Sequence, residues 1–342
     1  MSRRRAHLVL ESPLYSAESW GRMSEPSVSV VIPTYNHAEF MRCCLDSVFA
    51  QDYESIEVLV VDDGSTDETH DIVARYGNAV RYHRQENQGQ AVARAWGLRQ
   101  ISGDLVCLLD SDDYWEPGFL AALVPQFENP HLGLAFTNHD RVKADGEVFV
   151  SDVFRCQRDW LMPFVKTSEP GSWTTLDEKK TRLLYCSHYP PGPSGALFRR
   201  SLIQQMPDSN LRRGDDFLFF MMYILDSHCE VAFTMDVLWH LRTHDRNIRQ
   251  LSNKLDLLFE CDIEAKKELL KAYADELSQE ERKALQHRIA VDLFDWGFAE
   301  AQRRNLGKAV SRYLAAGWCD GGGPITRKAL TSLLKLPLKW MR

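Results

Sequence analysis

At 342 residues the chain exceeds what one compact core usually holds, so its length predicts one large domain with an appendage, or two domains. Hydrophobic residues at 44% and charged residues at 26% exclude extensive disorder, and a formal net charge of -7 excludes nonspecific nucleic-acid binding, which requires a basic surface. Eight cysteines without a CxxC pair exclude a regular disulfide framework or zinc module and read as reduced, mostly buried side chains in a reducing compartment.

Residues 1 to 26 show no sustained hydrophobic period and read as a flexible leader, with Met23 an alternative start. The basic MSRRR is followed by Glu11, Ser12, Pro13, Glu18 and Ser19 rather than an apolar run, so no signal peptide is expected. No stretch approaches the ~20 apolar residues needed to span a bilayer, and a cytoplasmic location follows as the expectation. SVSVVI, stopped by Pro33, predicts a strand over 28–32 that is buried on both faces. The segment 39–51 places Phe40, Cys44, Leu45, Val48 and Phe49 on one helical stripe, and EVLVV at 57–61 supplies the next buried strand.

Ser65 or Thr66 is expected to cap a helix with Asp67 and Glu68 in its first turn and Gly77 at its end, followed by a strand over 80–83. A helix over 90–101, a strand over 104–109 and another over 133–137 continue the alternation. About five strands alternating with helices imply a doubly wound, mainly parallel α/β sheet. Residues 138–200, with PPGPSG at 190–195, read as irregular loops shaping the acceptor side of a binding site. Beyond 252 the pattern is helical and charged, with Leu285, Ile289, Leu293 and Phe294 on one face. GGGP at 321–324 precedes a last segment in which leucines mix with five basic residues. That segment, 325–342, reads as an amphipathic basic helix suited to peripheral contact with anionic lipid.

In an open α/β sheet the ligand crevice lies beyond the carboxyl ends of the strands. Three strand ends there are rich in polar residues: PTYN at 33–36, DDGSTD at 62–67 and DSDD at 110–113. Each alone could be a turn, a helix cap or a solvated acidic loop. Together they crowd five or more acids onto one sheet edge, where repulsion calls for a cation or for substrate donors. Aspartates at alternate positions leaving a strand can point the same way, and an oxygen-rich site suits Mg or Mn bridging a diphosphate.

VSVVIPTYN, EVLVVDDGSTD, NQGQAVARAWG and CLLDSDDYWEP resemble the nucleotide-binding half of family 2 glycosyltransferases, which adopt the GT-A fold. The resemblance covers roughly residues 27–250, with a helical C-terminal region over 251–342. It implies that Pro33, Thr34, Tyr35 and Asp63 hold the base and ribose, that Arg94 lies near the diphosphate, and that Asp110, Ser111 and Asp112 form the DxD motif. A divalent metal, Mn or Mg, would be held by Asp112 or Asp113, and His244 in LRTHDRN would approach it. RRGDDFLFFMMYI resembles the family's acidic motif, whose final Asp is the catalytic base; that residue is Asp216, with Asp215 where the family usually has Glu. Capping of the helix that follows is the alternative role for Asp216.

Ala95 stands where the family often has Asn, and no Gln-x-x-Arg-Trp string follows the acidic motif, which implies transfer of one sugar per encounter. The expected activity is inverting transfer from a nucleotide-diphospho-sugar, a UDP-sugar, to a glycan or glycolipid hydroxyl in cell-surface polysaccharide synthesis. A sugar-phosphate nucleotidyltransferase would carry a glycine-rich, basic loop after the first strand, which PTYNHAEF is not. A non-catalytic nucleotide-sugar or protein-binding module would show a broken acidic set, yet Asp63, Asp110, Asp112, Asp113 and Asp216 are all present.

Overall fold

Near-continuous apolar runs form strands covered on both faces, and three of these together with the more polar VRYHR build the core of a sheet. These are β1 (Val28–Thr34), β2 (Ile56–Asp62), β3 (Val80–Arg84) and β4 (Leu105–Leu108). All run parallel in the order β3-β2-β1-β4, with Val30 opposite Val58 on one side and Cys107 on the other. Helices α1 (Ala38–Phe49), α2 (Thr69–Ala74) and α3 (Gln90–Gln100) make the connections. This computed structural model describes residues 25–157, 159–165, 169–188, 192–205, 214–245 and 255–335. Most of the leader and the end of the basic segment, Pro337 included, fall outside the described residues.

Beyond β4 the sheet becomes mixed. The remaining elements before the helical region are β5 (Tyr114–Trp115), α4 (Phe119–Leu123), β6 (Leu132–Lys143), β7 (Val148–Val150), α5 (Val153–Gln157), β8 (Trp173–Leu176), α6 (Glu178–Ser187), β9 (Ala196–Arg199), α7 (Asp215–Ser227) and β10 (Glu230–Thr243). Strand β9 enters antiparallel between β4 and β6, β10 lies parallel to β6, and β5, β7 and β8 add short antiparallel pairs. The helix-alternating half thus has the expected doubly wound pattern, and the antiparallel additions carry the sheet to ten strands.

Several local expectations change. β1 runs through Pro33 to Thr34, because a proline can sit where no ladder hydrogen bond is required of its nitrogen. On α1, Phe40, Cys44, Leu45 and Val48 are buried, but Phe49 is exposed and stacks on Tyr76 at a centroid distance of 5.6 Å. α2 starts later than expected and is capped by neither Ser65 nor Thr66. Asp67 accepts from the Thr69 N–H at 3.1 Å and its hydroxyl at 2.6 Å, while the Ser65 hydroxyl accepts from the Asn36 N–H at 2.9 Å.

Residues 138–200 are not a run of loops: they include the second half of β6, together with β7, α5, β8, α6 and β9. β6 continues through the polar NHDR because Asn138 is fully satisfied while buried. Its amide donates to Asp152 at 2.6 Å and to the Met235 carbonyl at 3.0 Å, and its oxygen accepts from the Phe154 N–H at 2.9 Å. Gly195 closes the turn before β9 with its Cα against the buried Trp239 indole, where any side chain would collide.

Two compact units emerge. The first comprises residues 1–181, 191–212 and 222–244 and contains the whole sheet. The second comprises 182–190, 213–221 and 245–342. Its helices are α8 (Leu255–Ala272), α9 (Gln279–Gln302), α10 (Leu306–Asp320) and α11 (Pro324–Lys335). A capping box opens α9, where the Ser278 hydroxyl accepts from the Glu281 N–H and the Glu281 carboxylate accepts from the Ser278 N–H. Leu285, Ile289 and Leu293 are buried as their spacing predicts, and Phe294 is partly buried beside Tyr313. Gly321, at φ +58°, ends α10 in a left-handed cap, and Pro324 opens α11 where a missing N–H costs nothing.

Candidate active site

The ends of β1, β2 and β4 are laced together by backbone bonds: the Asp63 N–H donates to the Thr34 carbonyl at 2.9 Å and the Leu109 N–H to the Val31 carbonyl at 3.0 Å. Side chains add a second layer. The Asn36 amide oxygen accepts from the Thr66 N–H at 2.7 Å, which ties the PTYN turn to the DDGSTD loop. Thr34 is buried, and its Oγ1 has no hydrogen-bond partner among the described residues, while Tyr35 beside it is 47% exposed. A buried polar atom next to an open aromatic face suits an incoming heterocyclic or sugar ligand.

Asp63 is buried and fastens the loop that leads into α3. Its Oδ1 accepts from the Gln85 amide at 2.7 Å and the Gln88 N–H at 2.9 Å, and its Oδ2 accepts from the Gly89 N–H at 2.8 Å. Gly89 adopts φ +96° to aim that N–H, a conformation that a side chain would resist. Asp62 points elsewhere, accepting from the Ser65 N–H at 2.7 Å and from the Tyr82 hydroxyl.

The DSDD segment leaves β4 in a turn, closed by the Asp113 N–H donating to the Asp110 carbonyl at 3.0 Å. Its three carboxylates therefore diverge. Asp110 accepts from the buried Arg94 guanidinium at 2.5 Å and from the Gln90 amide at 2.9 Å. Asp113 turns inward, accepting from the Ser194 hydroxyl at 2.6 Å and the Arg242 N–H at 3.0 Å. Burial and the neighbouring Asp112 and Asp110 charges push the Asp113 carboxyl well above the usual carboxylate range.

Asp112 takes the third direction, with Oδ2 at 3.1 Å from His244 Nε2. Burial opposes its charge, but the hydrogen bond from His244 and the nearness of His37 outweigh that and hold the carboxyl below its usual range. His37, Asp112 and His244 each offer one ligand atom, all within 4.8 Å of one another. They come from the residue before α1, the turn after β4 and the residue after β10. The His37 Nδ1 lies 2.8 Å from the Ser111 hydroxyl, and Phe40 packs on the His244 ring at 4.5 Å. Arg242 fixes the assembly from beneath: its Nε donates to the Asp112 carbonyl at 2.9 Å, and its guanidinium lies over the Phe40 and Tyr114 rings.

The acidic edge is thus mostly compensated within the chain. Of the metal-ligand candidates read from sequence, Asp112 and His244 meet and Asp113 does not join them. His37 was missed. An isolated histidine in PTYNHAEF has no spacing signal, although it follows directly on a strand-end motif already pointing to this edge. Two imidazoles and a carboxylate fit a divalent ion with open positions, and Arg94 of α3 is held beside the same turn by its ion pair with Asp110.

Asp215 and Asp216 lie in the second unit, in the first turn of α7. Asp215 is buried and Asp216 half-buried, with the Phe217 N–H donating to Asp216 Oδ1 at 2.8 Å. Lys266 and Arg288 lie over the Phe217 ring, at 5.2 and 4.6 Å from its centroid, and hold that turn of the helix.

Comparisons with known proteins bear on the family and the fold. Residues 29–206 match the sequence profile of Glycosyl transferase family 2. Among curated relatives, Glycosyltransferase GlyG of Streptococcus pneumoniae is 26% identical over 69% of this chain and 76% of its own length. Glycosyltransferase GlyA of the same organism is 35% identical over 34% of this chain, but the match spans only 17% of GlyA. Among solved structures, Staphylococcus aureus TarS 1-349 in complex with UDP-GlcNAc superposes with a TM-score of 0.62 at 20% identity, covering 90% of this chain and 88% of that one. The mannosyltransferase PcManGT of Pyrobaculum calidifontis, in complex with GDP-Man and Mn2+, gives 0.54 at 20% identity, covering 98% and 86%. At such identities the likeness speaks for the GT-A fold, with its sheet and C-terminal helical region.

Proposed function

The chain belongs to glycosyl transferase family 2, and from that premise we propose that it moves one sugar, with inversion, from a nucleotide-diphospho-sugar to an acceptor hydroxyl. The observation that carries this reading is the convergence of His37, Asp112 and His244 at the strand ends that also bear Tyr35, Asp63 and the Arg94–Asp110 pair. In this reading residues 27–250 form the transferase domain and 251–342 a helical region.

The donor base stacks on the exposed Tyr35 ring, with Pro33 and Thr34 lining its edge. Asp63 Oδ2 accepts one bond from the loop, which leaves it a second lone pair for a base N–H. UDP-sugars are the proposed donors. Arg94 contributes positive charge toward the diphosphate and keeps Asp110 in place. Asp112 and His244 would hold Mn2+ or Mg2+, which supplies neutralisation of the charge that grows on the departing nucleoside diphosphate. Asp113 buttresses the turn from within.

Asp216 accepts the acceptor's proton as the new glycosidic bond forms. A carboxylate cannot deprotonate a free alcohol beforehand, so proton transfer accompanies attack at the anomeric carbon. The acceptor is proposed to be a glycan or glycolipid of the cell surface.

The test of the donor assignment is a thermal-shift panel of UDP- and GDP-sugars on the full chain, with Mn2+, Mg2+ or chelator. One nucleotide sugar is expected to raise the melting temperature in a metal-dependent way, since a ligand at about 100 times its Kd stabilises by about 2.7 kcal/mol. No response to any donor with either ion would remove the donor site.

A lipid surface is the proposed peripheral partner. No helix among the described residues is long and apolar enough to cross a membrane. α10 nevertheless exposes Leu314 and, at 88%, Trp318, one turn apart, and α11 exposes Leu330 and Leu334 in the same relation. Residues 306–335 carry five basic side chains against the single acid Asp320, in a chain of net charge -7. Exposed tryptophan and leucine amid basic residues suit the interface of an anionic bilayer. Vesicles with anionic phosphatidylglycerol are expected to carry the wild type upward in flotation and to lose the double variant W318A/L334A. Equal flotation of both proteins, or flotation equally strong with neutral phosphatidylcholine, would exclude this contact.

A further inference from the structure

We propose that His37 is a third metal ligand, and that the resulting set of two imidazoles and one carboxylate makes the site select a transition ion such as Mn2+ or Co2+ over Mg2+. This rests on the reading that the chain holds a dication at Asp112 and His244.

Mg2+ takes oxygen ligands in near-ideal octahedral geometry and gives up its waters reluctantly. Each imidazole that replaces an oxygen or a water therefore weakens Mg2+ relative to ions further along the first transition row, for which nitrogen is a good donor. One histidine among oxygen ligands leaves Mg2+ competitive, whereas two do not.

Three observations bring His37 into the set. Its ligand atom lies within 4.8 Å of those of both Asp112 and His244. Its ring stands edge-on to that of His244, with centroids 5.5 Å apart and planes at 86°, so the two rings are not stacked flat on one another. Its Nδ1 lies 2.8 Å from the Ser111 hydroxyl, a contact that fixes the orientation of the ring. Ser111 thereby acquires a role inside the DSDD motif, as the residue that positions His37. Three protein ligands also leave positions open for two diphosphate oxygens.

The test uses the full chain without nucleotide, titrated calorimetrically with MgCl2, MnCl2 and CoCl2. Mn2+ and Co2+ are expected to bind at least about tenfold more tightly than Mg2+. His37→Gln should lose at least about tenfold in Co2+ and Mn2+ affinity, with a smaller loss for Mg2+ that also reports an intact fold. In the Co2+-loaded protein, proton NMR should show two exchangeable, hyperfine-shifted imidazole N–H signals in the wild type and one in the variant. Equal affinity of the wild type for Mg2+ and Mn2+, or a single shifted N–H signal in the wild type, overturns the proposal even if the variant fails to fold. A variant with unchanged affinities and both signals overturns it as well. Metal binding as described with no donor response would leave this inference standing and remove the donor reading. A metal-dependent donor response that His37→Gln leaves intact, together with unchanged Mn2+ affinity, would do the reverse.

Discussion

Asp112→Asn is expected to lower sugar transfer by about a thousandfold and to abolish the metal dependence of donor binding, while moving the melting temperature by only a few degrees. The reasoning runs through charge. The hydrogen bond from His244 and the nearness of His37 hold the Asp112 carboxyl below its usual range despite its burial, and that negative charge is what would draw a dication to the two rings. Asparagine keeps the size and an oxygen acceptor for His244 but removes the charge. Lewis-acid stabilisation of a leaving diphosphate is worth several kcal/mol, and about 4 kcal/mol corresponds to a factor of about 10³ in rate. Stability should respond little, since the variant also removes the desolvation penalty of a buried anion. The measurement is transfer of the sugar identified in the donor panel, at saturating Mn2+, with thermal melts in parallel. Activity within a few-fold of wild type would show that Asp112 is not a metal ligand in turnover.

The neighbouring Asp113→Asn forms the internal control for this argument. That carboxyl faces the Ser194 hydroxyl and the Arg242 N–H, not the histidines. Its replacement acts on the packing of the turn, and its effect should appear in stability before it appears in metal affinity. The sequence alone cannot separate the two residues, because DSDD is read as a continuing strand with alternating directions. The chain instead turns at Asp110, and a turn has no period of two.

The same physics decides what else could be read in advance. Strands β1, β2 and β4 were legible because a parallel strand covered on both faces must be apolar throughout, and SVSVVI, EVLVV and LVCLL satisfy that demand without reference to distant residues. β10 was not, because EVAFTMDVLWHLRT mixes polar residues whose partners lie far away in sequence. His240 is buried against Glu116 at 2.5 Å, and Arg242 is satisfied by the carbonyls of Asp112 and Ala144. The continuation of β6 through Asn138 was hidden for the same reason. His37 combines both difficulties: it is one residue in a turn, and its meaning depends on two others brought to it by different strands. Strand-end motifs therefore located the edge of the sheet correctly, while the assignment of individual side chains to a ligand set required the fold.

Asp216→Asn is the second variant with a large expected effect, and it separates the two roles open to this residue. A carboxylate that accepts the acceptor's proton in the transition state contributes about 10² to 10⁴ in rate. The variant should lose that factor in transfer while retaining the metal-dependent thermal shift with donor, because the donor-binding residues are untouched. If Asp216 only supports the start of α7, the outcome inverts. Negative charge in the first helical turn is worth about 0.3–1 kcal/mol, so the melting temperature would fall slightly and transfer would persist. Asp215→Asn completes the comparison. Asp215 is buried at the start of the helix and Asp216 is half-buried, so Asp216 is the acid better able to meet an acceptor hydroxyl. Asp215→Asn is accordingly expected to cost stability more than rate. Transfer abolished by Asp215→Asn and spared by Asp216→Asn would exchange the two assignments. Loss of donor binding in both would show that this turn serves the structure of the site rather than the proton transfer.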